Sequence, residues 1–173
     1  MKKTILFMFL LSLGIMAAGC FQGEERIGHS SLSKDEIEQF TEEKGIEPLA
    51  VEEVQDSSLV LYENGIYYLS EQNGKLTVNQ TGWSGNSKEK VQVGMTSTGS
   101  PHANVIIHDS KLLKEADEVK VEFGDGKTVV QQIGSTNGLL MFYDKNKSNL
   151  SIPSELDLTI YNDAGTAIYE DEL

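Results

Sequence analysis

The chain has 173 residues, with 14 basic and 27 acidic side chains, a formal net charge of −13 and a single cysteine, Cys20. That acidity excludes a nucleic-acid binder that neutralises phosphates and a basic face for anionic lipid. One cysteine excludes an intrachain disulfide and a cysteine-ligated zinc site.

Met1-Lys2-Lys3 makes a positive start, Ile5 to Met16 an apolar run, and Ala17-Ala18-Gly19 a small-residue stretch before Cys20. The run is short of the ~20 residues that span a ~30 Å hydrocarbon core, so the segment predicts an export signal rather than a permanent span. It resembles the signal and lipobox of bacterial lipoprotein precursors, with Ala17 where that family commonly has Leu. The resemblance implies cleavage after Gly19, so that residues 1–19 leave as signal peptide. It also implies a diacylglycerol on the Cys20 sulfur and an amine open to a further acyl group. Two or three acyl chains hold a protein stably where one is marginal. The implied partner is the lipid bilayer, and the implied location is the cell membrane, facing outside the cytoplasm. Without Lys2 and Lys3, the mature part carries 12 basic against 27 acidic residues, a net charge of −15.

Residues 20–32 are polar and aperiodic, and predict a lipidated N-terminus on a flexible tether holding His29. Residues 33–173 form one domain. Ser33 followed by Glu36 spells a capping box, Leu32 can staple to Ile37, and Lys44-Gly45 before Pro48 closes the helix. Strand and turn patterns follow. Leu59–Tyr62, Ile66–Leu69 and Lys75–Val78 form a meander across Asn64-Gly65 and Asn73-Gly74, both read as type I′ turns. A Gly/Ser-rich loop carries the only tryptophan, Trp83. Further strands are expected at 90–95, 104–108, 118–123, 128–133, 139–143, 156–161 and 166–169, with a short helix or turn at 110–116. Nine or ten short strands and one N-terminal helix describe an antiparallel β-sandwich or open barrel.

The Leu59-Val-Leu-Tyr62 strand, the Gly82-Trp83 loop, Val119-Lys-Val-Glu-Phe123 before Asp125-Gly126-Lys127, and the closing hairpin of Tyr169 are similar to small exported lipoproteins of Gram-positive bacilli. That likeness implies location and fold rather than an activity.

Few constellations carry chemistry. His102 and His108 with Asp109 are the residue types of a two-histidine, one-carboxylate metal site. Six strand residues nevertheless separate the histidines by about 20 Å, so exposed loop-end histidines are expected. Asp144, Asn146, Ser148 and Glu155 partly match a calcium loop. Asn149 replaces its glycine, however, and Lys145 and Lys147 repel a cation. No serine-nucleophile or phosphate-loop motif is present, no cofactor is implied, and no catalytic residue stands out. The nine carboxylates between Asp35 and Asp56 read as a solvated helix face and strand edge. Trp83 is either core or a ligand contact. The expected function is a non-catalytic binding or interaction module of the cell envelope, for a protein or a wall polymer. The alternative is a small envelope hydrolase using unnamed carboxylates.

Overall fold

The computed structural model describes residues 28–83 and 89–173. Cys20 and the Gly/Ser part of the loop after Trp83 lie outside them. In chain order the elements are β1 (His29–Ser30), α1 (Lys34–Lys44), β2 (Ala50–Val54), β3 (Ser57–Tyr62), β4 (Gly65–Gln72), β5 (Lys75–Gly82) and β6 (Val91–Thr96). They continue with β7 (Thr98–Gly99), β8 (His102–Ile107), α2 (Ser110–Glu115), β9 (Ala116–Phe123), β10 (Thr128–Gln132) and β11 (Gly138–Phe142). The last three are β12 (Leu150–Ser151), β13 (Leu156–Asn162) and β14 (Ala167–Glu172).

The fold is mainly β, and every described strand pair is antiparallel. In the first sheet β4 carries β5 along one side and β3, then β1, along the other, with β2 beyond β3. The second sheet has the order β11-β8-β6 and the third β10-β9-β13-β14, while β7 and β12 form a small bridge. Among the described residues, fourteen strands exceed the nine or ten expected. Three of the extra ones, β1, β7 and β12, are two residues long, and β2 is an edge strand whose apolar pattern is interrupted by Glu52 and Glu53.

The helix forms where its caps place it. Ser33 accepts from the Glu36 backbone N–H, the Glu36 side chain accepts from the Ser33 N–H, and Gly45 ends the helix at φ 63°. Ile37 and Phe40 then pack with Leu32, Val60 and Leu69 against the outer face of the first sheet. His29 and Ser30, expected in the tether, pair with Gln72 and Glu71. The buried Leu32 donates its N–H to Ser58 Oγ.

The inner face of the first sheet, with Leu59, Leu61 and Ile66, closes on Ile106, Leu140 and Phe142 of the second. The opposite face of that second sheet, with Ala103, Val105, Ile107 and Met141, packs on Val119, Val121, Phe123, Leu158 and Ile160 of the third. The second sheet is therefore covered on both sides, and β8 and β11 are buried at every residue. This accounts for the unbroken apolar run Leu139-Leu-Met-Phe142, where a half-exposed strand would alternate. Each such apolar side chain contributes roughly 1.5–3 kcal/mol on burial.

Candidate functional site

The β8 run is not wholly apolar. His102 and Asn104 point with Ile106 toward the first sheet, because alternate strand residues share a face. Cross-strand pairing sets Thr96 and Phe142 beside His102, and Gly94 and Leu140 beside Asn104. Toward β11 this face is apolar and sealed by the first sheet. Toward β6 it is polar, and the residues facing it from β4 and β5 are Tyr68, Ser70, Thr77 and Asn79. Between these two edges lies a cleft of about 470 Å³, closed at its end by the Gln55–Ser57 turn and His29. Gln55 holds φ 53° there, an uncommon conformation for a residue with a side chain.

His102 forms part of the cleft wall and is 1% exposed. Its ring lies 5.0 Å from that of Phe142 and 6.3 Å from that of Tyr68. Nδ1 is 2.8 Å from the Ser100 carbonyl oxygen, which can only accept, so Nδ1 carries the hydrogen and Nε2 a lone pair. Nε2 has no hydrogen-bond partner among the described residues. Burial pushes the His102 pKa below the ordinary histidine range, against a smaller upward pull from the Ser100 carbonyl. The ring is thus a neutral, buried acceptor without a donor, and buried polar atoms are rarely left so. Asn104 Nδ2 is a second unpartnered buried atom on the same face. The missing side chain of Gly94 makes its room, since a Cβ there would lie 2.7 Å from Asn104 Oδ1.

Exposed loop-end histidines were the expectation, and His102 corrects it: Pro101 and His102 are interior, and the strand begins at His102 itself. His108, just past the other end of β8, is half-buried between Gln92 Oε1 at 3.3 Å and Glu63 Oε1 at 3.4 Å. Asp109 caps α2 through the Lys111 and Leu112 N–H groups. The two histidines and Asp109 are therefore not one site. His29, exposed in β1, reaches Ser70 Oγ and enters the cleft wall.

The two carboxylates of the calcium-loop pattern have other contacts. Asp144 accepts from the Asn146 N–H and pairs with Lys147, while Glu155 lies just before β13, beside Gly124. Among the described residues no group of three His, Cys, Asp or Glu side chains could hold a metal ion. Trp83 is half-buried against the core between the first and second sheets, and its Nε1 donates to the Glu63 carbonyl at 3.0 Å. In the acidic stretch, Glu52 is paired with Lys145 and the helix acids face solvent.

Where a carboxylate pKa is displaced, it moves down. Glu36 is lowered by its bonds to Ser33, Asp109 by the α2 N–H groups, Asp125 by the Tyr143 hydroxyl, and Asp144 by the Asn146 N–H. Such carboxylates are structural acceptors, held ionised by hydrogen bonds. The chain matches no protein-family model, no curated protein and no solved structure. A signal for the cleft did stand in the sequence. His102 and Asn104, two apart in an apolar run, mark one polar face of a buried strand.

Proposed function

We propose that this protein is a cell-envelope lipoprotein, anchored through acylated Cys20, whose β body is a binding module with its ligand seat in the cleft between β4–β5 and β6–β8. The lipobox-like order of residues 1–20 supports the anchor. The observation that carries the binding role is His102 Nε2, a buried acceptor in a cleft wall with no partner. The cleft has the size of a small-molecule site, ~300–1,000 Å³, with an apolar base and a few polar groups. Its described lining holds one carboxylate, the exposed Asp56, whereas glycoside hydrolysis by the hydrolase alternative calls for a pair.

Two measurements test this reading. Mass analysis of the mature chain from membranes should find Cys20 first and diacylglyceryl-modified, and Cys20→Ala should release the body from the membrane fraction. Histidine-selective NMR of the mature chain should show the His102 ring resonances moving when soluble envelope fragments are added. A mature chain starting elsewhere removes the anchor, and a His102 signal indifferent to every fraction removes the seat.

A further inference from the structure

Resting on the binding-module reading, we propose that the cleft seats an uncharged saccharide, one of whose hydroxyls donates to His102 Nε2. The unpartnered nitrogen needs a donor. An ionised carboxylate ligand presents acceptors only, and the charge of a phosphate would go unmet, since no lysine or arginine is among the described residues that line the cleft. Apart from His29 and the exposed Asp56 at the cleft's end, the polar lining is neutral and two-way. The hydroxyls of Ser70, Thr77 and Thr96 and the amide of Asn79 each donate and accept. Leu59 and Tyr68 supply an apolar surface beneath them. A sugar ring has the matching pattern, hydroxyl edges around a face of C–H groups. Nε2 is buried and Tyr68, half-buried, has its ring 6.3 Å from that of His102, so the proposed seating requires the Tyr68 side chain to move aside as the ligand enters. A volume of about 470 Å³ accommodates one or two sugar units.

The test uses the mature chain in detergent micelles with four probes: maltotriose and chitotriose as neutral saccharides, glycerol phosphate as an anion, and ethanolamine as a cation. At least one trisaccharide should bind saturably by calorimetry and move the His102 Nε2 resonance upfield, as a nitrogen accepting a hydrogen bond does. His102→Phe keeps a ring against Phe142 and removes the acceptor, and should weaken that binding by about tenfold or more. If His102→Phe fails to fold, the Thr77→Val/Asn79→Leu pair on the exposed strand β5 should weaken it in the same direction. Binding of glycerol phosphate or ethanolamine without either saccharide overturns the saccharide assignment and leaves the binding-module reading standing. Silence from all four probes, with the His102 resonance unmoved, overturns both.

Discussion

The bond from His102 Nδ1 to the Ser100 carbonyl sets the chemistry of the cleft, because it leaves the lone pair on Nε2. It also gives the protein a pH signature. Burial lowers the folded-state pKa below the unfolded value of about 6.5, so the neutral ring's contribution is complete above that pH. As pH falls below about 6.5, the unfolded chain takes a proton that the folded one refuses. Stability then drops by up to ~1.4 kcal/mol per pH unit until the folded pKa is reached. Urea unfolding at pH 7.5 and 5.5 should show wild type losing more than His102→Phe, and equal losses in the two would sink this account of His102. The neighbouring row makes a second residue-scale prediction. Gly94→Ala forces a methyl against the Asn104 amide, both groups being held in paired strands, and should cost about 1–3 kcal/mol in thermal or urea unfolding. An unchanged midpoint would show that the amide has room to move.

At the scale of elements, what was legible depended on how local each signal is. The helix was readable to its caps, since Ser33, Glu36 and Gly45 act within their own turns. Ser33→Ala should cost about 1 kcal/mol, seen in the unfolding midpoint. The two Asn-Gly pairs divide. Asn73-Gly74 occupies the two-residue loop between β4 and β5 with φ 52° and 71°, as a type I′ turn requires. Asn64-Gly65 does not, because Tyr62 pairs with Gly65 and the loop is Glu63-Asn64, neither with positive φ. Gly65 is glycine for a different reason: a Cβ would lie 2.5 Å from the Thr81 carbonyl across the sheet. Gly74→Ala should therefore cost about 1 kcal/mol, the left-handed penalty alone. Gly65→Ala should cost clearly more because it pushes β5 off β4, and a reversed order of unfolding midpoints would contradict that assignment. Strands β1, β7 and β12 had no local signal, since pairs of two residues exist only through their distant partners.

For the whole molecule, the apolar strands and regular turns indicated antiparallel β structure, but the stacking of helix and three sheets was not visible. Val105 and Ile106 are both fully buried, and only the assembled layers show which sheet each one faces. Of the cleft, only the His102 wall was marked in the sequence, because Thr77 and Asn79 come to line it across a chain separation that no pattern encodes. The proposed anchor at Cys20 rests on linear sequence alone and draws nothing from the fold. In the loop of Asp144 the spacing suggests ligands, and the structure shows Asp144 accepting from the Asn146 N–H and pairing with Lys147. The central claim is a membrane-anchored body that binds through this cleft. It is tested most directly by placing the photoreactive residue benzoylphenylalanine at Thr77, inside the cleft, or at Thr159, on the outer face of the third sheet, in living cells. The account predicts a defined adduct from position 77, on chain recovered with the membrane, and none from position 159. An adduct from position 159 alone, or chain recovered only in the soluble fraction, would contradict it.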